Sequence, residues 1–193
     1  MTKKEEFAKI IRAITVPPLL VLSLLIILFY SKDAIFKDIY ELAASITFLV
    51  LIPVAAYPLA LVIPKYKDKK REGQRNLAFI LSLVGYIAAV IYGVAVHVSQ
   101  GLLFIYLTYF ISVVVLIVFN KIIKLRASGH ACSITGPLIL TIYFIGWKCF
   151  IWCLALFALI TWASLILKRH TPKELIFGST IAVIAFTSSL LFV

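Results

Sequence analysis

The stretch GLLFIYLTYFISVVVLIVFN, residues 101–120, decides the fold class because it contains no charged side chain over 20 residues. A helix of roughly 20 apolar residues crosses the hydrocarbon core of a bilayer, which is about 30 Å thick. Comparable stretches recur on both sides of it, and 63% of the whole chain is hydrophobic. Because lipid offers the backbone no hydrogen bonds, each span must satisfy its own peptide groups, as an α-helix does. The sequence therefore predicts an all-α, polytopic membrane helical bundle.

Gaps in the apolar pattern divide this bundle into about six to seven transmembrane helices. The fifth and sixth are separated only by Gly146-Trp147-Lys148, but one helix over both would overshoot the bilayer. Pro17-Pro18 also allows the first span to begin as a bent interfacial segment, and no cleavage site follows it. We expect one membrane domain over residues 1–193, with no removable signal peptide and no soluble domain. The candidate spans lie at about Ile14–Tyr30, Glu41–Ile63, Leu77–Val96, Gly101–Asn120, Ala131–Gly146, Cys149–Leu167 and Glu174–Val193.

The basic residues predict how the bundle is oriented in the cell membrane. Alternating spans place the N-terminus and the loops 64–76, 121–130 and 168–173 on one side of the membrane. Of the 19 Lys and Arg residues, 16 fall on that side, and only Lys32, Lys37 and Lys148 fall on the other. Cytoplasmic loops of membrane proteins carry an excess of Lys and Arg. The side with the 16 cations is therefore predicted to be cytoplasmic.

The net charge of +11 is explained mainly by membrane association. Basic juxtamembrane loops attract anionic lipid head groups at about 1 kcal/mol per residue. These loops are short, and only Tyr66 is an aromatic residue among the basic ones, so no nucleic acid binding is predicted. Cys132, Cys149 and Cys153 lie within spans, where cysteine acts as a small apolar residue. We therefore predict neither a disulfide framework nor a metal site from them.

A polar segment at the start of the last span is the first candidate for chemistry. Thr171, Pro172 and Glu174 have the pattern of a capping box with proline at the first helical position, which by itself explains Glu174. The pattern leaves His170 unexplained. The helix dipole opposes protonation of a ring at this end and keeps a nucleophilic nitrogen neutral, while a carboxylate four residues on orients it. The same end attracts phosphate; a passive interfacial histidine is the alternative.

Two further polar segments lie on the same predicted face. Ser128 is a ready N-cap for the fifth span, and Gly129 allows a ligand to approach the backbone beside His130. The loop from Lys65 to Arg75 carries six cations in eleven residues. Two histidines and a cationic loop on one membrane face suit an anionic lipid head group. His97 lies on the opposite face and is treated as incidental.

These segments resemble the motifs of the type 2 phosphatidic acid phosphatases, membrane enzymes that hydrolyse lipid phosphates without metal. The family pattern is approximately K-x6-R-P, then P-S-G-H, then S-R-x5-H-x3-D. Ala127-Ser128-Gly129-His130 matches the second part in three of four positions. His170 and Glu174 match the spacing of the third part, and Gly178 falls where the family commonly has glycine. The resemblance runs from about residue 60 to 180, which implies a family-like core at about 60–193 and N-terminal helices at about 1–60.

The chain departs from the family pattern in two motifs. The Ser-Arg pair of the third motif falls on Ala163-Ser164, so the phosphate-binding arginine expected at position 164 is absent. Arg169 is an alternative source of that charge, although its place in the loop directs it differently. In the first motif, Asp68 stands where lysine is expected seven residues before Arg75, and Asn76 replaces proline. This segment looks more like a variant first motif of some bacterial and archaeal relatives.

The resemblance implies a set of roles for the site residues. His170 is the expected nucleophile, Glu174 holds its other ring nitrogen, and His130 acts as general acid and then general base. The remaining expected residues bind phosphoryl oxygens and neutralise their charge, with the choice between the two neighbouring lysines left open. They are Lys69, Lys70, Arg71, Arg75, Ser128, Gly129 and Arg169. No metal and no cofactor is implied.

The predicted function is metal-independent hydrolysis of a lipid phosphate or diphosphate through a phosphohistidine. Phosphatidate, phosphatidylglycerol phosphate and a polyprenyl diphosphate are the expected kinds of substrate, and membrane lipids are the expected surroundings. The alternative is a catalytically weakened or inactive relative that binds or transports an anionic lipid. Ser164 favours this alternative, because losing a transition-state arginine costs rate while ground-state binding remains. The sequence leaves the oligomeric state open.

Overall fold

The computed structural model describes residues 2–31 and 34–192, without the side chains of Lys70 and Arg71. Lys32, counted above among the cations, lies outside the described residues. All regular secondary structure in the described part is helical. The helices are α1 (Lys3–Ile14), α2 (Pro17–Ser31), α3 (Ile39–Ile46), α4 (Ile52–Val62), α5 (Pro64–Lys67), α6 (Lys70–Val96), α7 (Gln100–Ile117), α8 (Gly129–Ile145), α9 (Phe150–Ile166) and α10 (Pro172–Ser189). Single π-helical turns at Thr47–Leu51 and Val118–Ile122 join α3 to α4 and extend α7.

Four helical segments in the described part are long and apolar enough to cross a membrane. They are Ile39–Val62, Glu72–Val96, Gln100–Ile122 and Trp147–Ile166. A fifth results if α1 and α2, which are bent by 48° at the break between them, are counted as one span. The chain is therefore a helical bundle suited to several membrane crossings, and a count of six to seven spans stays a prediction.

The two helix breaks that the sequence predicts are present. Helix α8 ends at Ile145, and Gly146 follows with a φ of 102°, a positive value that glycine adopts at little cost. A short 3₁₀ turn at Trp147–Cys149 then leads into α9. At the other break, α1 ends just before Pro17-Pro18, in agreement with a bent segment at the start of the first predicted span.

The centre of the bundle is formed by α7, α8 and α10. Helix α10 packs on both α7 and α8, while α6 packs between α4 and α7. Leu102, Ile105 and Tyr106 of α7 are fully buried, as expected of a helix that is apolar all round. The outer contacts are those of α2 with α8 and of α1 with α9. This arrangement brings the N-terminal ends of α8 and α10 side by side.

Hydrogen bonds at the two ends of the bundle join segments that the predicted topology places on the same side of the membrane. At one end, Lys37 Nζ donates to the carbonyl of His97 over 2.6 Å, and Ser99 Oγ donates to the carbonyl of Ile35 over 2.6 Å. At the other end, Lys121 Nζ donates to Asn76 Oδ1 over 2.6 Å, which joins the π-helical turn after α7 to the first part of α6. All three polar segments of the sequence analysis lie at this second end. Its cytoplasmic orientation stays a prediction.

Candidate functional site

The start of α10 holds His170 in place through its own capping residues. Thr171 is the N-cap, its side chain accepts from Glu174 N, and Glu174 Oε2 accepts from Thr171 N over 3.2 Å, so the predicted capping box is present. Lys168, with φ of 48°, turns the chain sharply after α9. His170 therefore sits directly before a rigid helix end, where the backbone positions its ring.

The Glu174 carboxylate joins His170 to a cation. Glu174 Oε2 lies 3.2 Å from His170 Nδ1, and Glu174 Oε1 lies 2.9 Å from Arg126 Nε. Glu174 is 8% exposed, so its charge is balanced inside the site rather than by water. Capping and histidine pairing are thus two uses of one carboxylate. With Nδ1 committed to Glu174, the other ring nitrogen of His170, Nε2, is the one suited to nucleophilic attack.

The segment Ser128-Gly129-His130 starts α8 beside this residue set. Ser128 caps α8 by accepting from Ala131 N over 3.1 Å, as predicted. Its own N–H donates to the carbonyl of Glu174 over 2.9 Å, which ties the first turn of α8 to α10. The approach is close because position 178 is glycine: a Cβ at Gly178 would overlap the carbonyl oxygen of Ser128. Gly178 therefore sets the distance between the two helix ends.

His130 and His170 face each other across the junction of these helices. Their ring centroids are 6.1 Å apart and their planes are within 11° of parallel. His130 Nε2 is buried and has no hydrogen-bond partner among the described residues. His130 lies just before the predicted span that begins at Ala131. Burial lowers the pKa of His130 to about 3, together with the charges of Arg12 and His170. The ring is therefore neutral at pH 7 until an anion offsets the cationic field and favours a proton.

One cavity of about 470 Å³ contains both histidines. A volume of this size is typical of small-molecule sites. Three buried side-chain polar atoms in the described part have no partner, and two of them, His130 Nε2 and Tyr109 OH, belong to residues that line this cavity. Unpaired buried polar atoms are costly, so their meeting in one cavity indicates a ligand site. The cationic part of the wall consists of Arg12, Arg75, Arg126 and Arg169.

Most residues predicted from the sequence lie on this cavity. His130, His170 and Glu174 line it together with Arg75, Ser128, Gly129 and Arg169. The exceptions come from the cationic loop. Lys69 is exposed and is not among the lining residues, while the side chains of Lys70 and Arg71 lie outside the described part. Lys69 is the residue before α6, whereas Arg75 is inside the helix, which places its side chain on the cavity wall.

Arg75 belongs to an adjoining polar pocket as well. Its Nη2 donates to Asn120 Oδ1 over 2.9 Å, and its guanidinium lies 5.9 Å from the centre of the Phe79 ring. The pocket, of about 530 Å³, shares Arg75, Arg126 and His170 with the cavity and also contains Lys121 and Lys124. His170 thus lies between the cavity and an adjoining cation-rich pocket.

Two arginines of the site were not predicted as site residues. Arg126 precedes the Ser-Gly-His segment by two residues and was counted only toward orientation, although its nearness to that segment was a usable signal. Arg12 lies on α1 and its Nη1 donates to Ser164 Oγ over 3.1 Å. No local pattern connects two residues separated by 152 positions, so sequence motifs could not predict that Arg12 belongs to the site.

No family model, curated protein or solved structure matches this chain.

Proposed function

We propose that this chain is a membrane phosphatase that hydrolyses a lipid phosphate or diphosphate without metal, through a phosphohistidine. The observation that carries the proposal is the pairing of His170 Nδ1 with Glu174 Oε2 at 3.2 Å, with the His130 ring parallel to it and 6.1 Å away. A histidine oriented by a carboxylate, facing a second histidine in an arginine-lined cavity, has the parts of a two-step phosphoryl transfer. The resemblance to the type 2 phosphatidic acid phosphatases leads to the same reaction.

In the first step, His170 Nε2 attacks the phosphorus atom of the bound lipid. A nitrogen–phosphorus bond forms while the bond from phosphorus to the lipid oxygen breaks. His130, protonated when the anionic head group is beside it, gives that proton to the leaving oxygen. Glu174 stabilises the positive charge that develops on the His170 ring, because its Oε2 faces Nδ1 directly.

In the second step, water releases the phosphate. His130, now neutral, takes a proton from a water molecule that attacks the phosphohistidine, and the nitrogen–phosphorus bond breaks. His170 returns to its starting form with inorganic phosphate as the product. The lowered pKa of His130 leaves its ring unprotonated in the absence of an anion, and the negative charge of the phosphoryl group beside it increases its affinity for the proton that it takes from water.

Electrostatic stabilisation is the largest expected contribution to such a reaction. The phosphoryl oxygens carry the charge in the transition state, and the protein groups that face them here are guanidinium groups and helix N-termini. The guanidinium groups belong to Arg75 on α6 and to Arg126 and Arg169 in the loops before α8 and α10. Ser128 and Gly129 supply a hydroxyl and a backbone amide at the start of α8.

The rest of the cavity fits an apolar chain attached to the phosphate. Its wall away from the arginines includes Val21, Leu49, Val113 and Leu116, which lie on α2, α7 and the π-helical turn before α4. A lipid tail in contact with these residues leaves the head group at the histidines. With this geometry, and with the predicted orientation, the reaction takes place at the cytoplasmic membrane surface in a bundle of six to seven spans.

A non-catalytic lipid binder is the second candidate, and Ser164 favours it. The position expected to hold a phosphate-binding arginine holds instead a serine that is 0% exposed. A cavity with weakened transition-state stabilisation still binds an anionic head group, because ground-state binding does not need the same contact.

Phosphate release by detergent-purified protein in the presence of EDTA distinguishes the two candidates. The substrates are phosphatidate, phosphatidylglycerol phosphate and a polyprenyl diphosphate, each in mixed micelles. Release that persists in EDTA supports the phosphatase. Binding of these lipids without release from any of them supports the binder and contradicts the phosphatase.

A further inference from the structure

Helix α1 is attached to α9 by a short apolar face. Ala8 and Ile11 are buried against Ala163 of α9, and the rings of Phe7 and Trp162 lie 6.2 Å apart. Residues four apart share one face of a helix. Arg12, four residues after Ala8, is therefore directed toward the same neighbour.

The end of the Arg12 side chain lies at Ser164. Arg12 Nη1 donates to Ser164 Oγ over 3.1 Å, and Ser164 is fully buried. Arg12 also lines the cavity that contains His130 and His170. The charge of Arg12 acts on His130, since it is the second cause, after burial, of the low pKa of that histidine.

Ser164 leaves room for this arrangement. A serine side chain is too short to bind a head group across the cavity, but its hydroxyl is the right acceptor to fix a guanidinium. An arginine at 164 would fill the space that the guanidinium of Arg12 occupies. Arg12 and an arginine at position 164 therefore cannot both place a guanidinium at this point of the cavity wall.

We propose that Arg12, positioned by Ser164, binds the phosphoryl group of the lipid substrate in place of an arginine at position 164. The inference rests on the proposed phosphatase and extends it. A guanidinium presents five N–H donors in a planar fork that matches two oxygens of a phosphate. The hydrogen bond to Ser164 holds the guanidinium in place, so less side-chain conformational entropy is lost when the phosphate binds.

This assignment places an essential residue outside the family-like core at about 60–193. The site is then complete only when α1 is packed on α9. Helix α1, with its charged side chains, is consequently a structural part of the proposed catalytic cavity.

The first test is an exchange of the two positions, with phosphate release and melting temperature measured on each variant. Arg12→Ala is expected to lower kcat about a hundredfold, the usual effect of removing one donor to developing charge. Lys4→Ala, which removes an exposed cation from the same helix, is expected to keep the wild-type rate. Ser164→Arg alone places two guanidinium groups together and also lowers the rate. The double variant, Arg12→Ala with Ser164→Arg, is expected to recover to within about tenfold of wild type.

A rate for Arg12→Ala that equals that of wild type would overturn the inference, as would a stably folded double variant no faster than Arg12→Ala.

A second measurement does not depend on turnover. Sodium orthovanadate, which mimics a phosphoryl group, is added to wild type, Arg12→Ala and Lys4→Ala, and the rise in melting temperature is recorded. The rise is expected in wild type and Lys4→Ala and is expected to be largely lost in Arg12→Ala.

The two measurements separate this inference from the proposed function. If no lipid phosphate is hydrolysed but the vanadate effect depends on Arg12, the phosphatase fails and the anion site at Arg12 stands. If lipid is hydrolysed but Arg12→Ala keeps both the rate and the vanadate effect, the phosphatase stands and the role of Arg12 fails. The absence of both hydrolysis and any vanadate effect in wild type overturns both.

Discussion

The starts of α8 and α10 are built alike, but their histidines are held differently. Each helix begins with a hydroxyl residue whose side chain caps it, Ser128 in one case and Thr171 in the other. His170 lies before its cap and is paired with Glu174. His130 lies inside the first turn, and its Nε2 is buried without a partner. In the proposed reaction, the paired ring attacks phosphorus and the unpaired ring exchanges a proton with the ligand.

Removing the paired histidine is expected to have the largest effect. His170→Ala should lower phosphate release by more than about a thousandfold, because it removes the nucleophile itself. The melting temperature should change little, since His170 precedes the helix and is only partly buried. His97→Ala, at the opposite end of the bundle, serves as the control. A rate of phosphate release close to wild type in His170→Ala would contradict the assignment of His170 as the nucleophile.

Glu174→Gln tests whether the carboxylate is needed for more than capping. A glutamine still accepts from the N-cap backbone, so α10 keeps its start, but the charge beside His170 and Arg126 is gone. We expect kcat to fall about a hundredfold, within the usual range for a group that assists proton transfer and charge development, with a small change in melting temperature. Glu6→Gln on α1, where Glu6 is exposed, is the matched control. Equal rates for Glu174→Gln and wild type would reduce Glu174 to a capping residue.

Gly178→Ala tests the contact that brings the two helix starts together. The added Cβ would overlap the carbonyl of Ser128, so α8 and α10 must separate, at a cost of about 1–3 kcal/mol. We expect a lower melting temperature and about a tenfold lower rate of phosphate release. Gly136→Ala is the control for stability, because a Cβ at Gly136 meets nothing within 4 Å. If Gly178→Ala is as stable as Gly136→Ala, the helix starts do not depend on this contact.

Cysteine labelling asks which side of the membrane both helix starts face. In a variant with Cys132, Cys149 and Cys153 replaced, Lys69→Cys is expected to be shielded from membrane-impermeant thiol reagents in intact cells. The same position should react after the membrane is made permeable. No change in activity is expected, because Lys69 is not on the cavity wall. Labelling in intact cells would place both histidines outside the cytoplasm.

The sequence was sufficient for those parts of the molecule that depend on neighbouring residues. Both caps, the break at Gly146 and the helical class follow from short patterns, and so does the pairing of His170 with Glu174 one helical turn later. The helix α1 was not predicted, because its residues Lys3–Ile14 were assigned only to a side of the membrane. The six-to-seven span count rests on apolar gaps alone, whereas by length and composition four to five helices qualify among residues 2–31 and 34–192.

The arginines of the cavity show what sequence reading misses. Arg75 belongs to α6, whereas Arg126 and Arg169 belong to two separate loops, and only the packing of α6, α8 and α10 directs them to one cavity. Arg12 reaches Ser164 because α1 packs on α9, a tertiary contact without a local signal. From the sequence alone, Ser164→Arg would be expected to raise turnover. With Arg12 already at Ser164, that gain is expected only when Arg12 is removed.

Trapping the phosphoenzyme tests the difference between the two histidines most directly. His130→Ala and His170→Ala are each incubated with a polyprenyl diphosphate labelled with ³²P on its terminal phosphate, in EDTA, and quenched in alkali. The leaving group of this substrate needs little protonation, so loss of His130 should slow mainly the release from the enzyme. We expect base-stable, acid-labile label on the peptide that contains His170 in His130→Ala, and none in His170→Ala. Label on another residue, or no label in His130→Ala from a substrate that wild type hydrolyses, would contradict a phosphohistidine at His170.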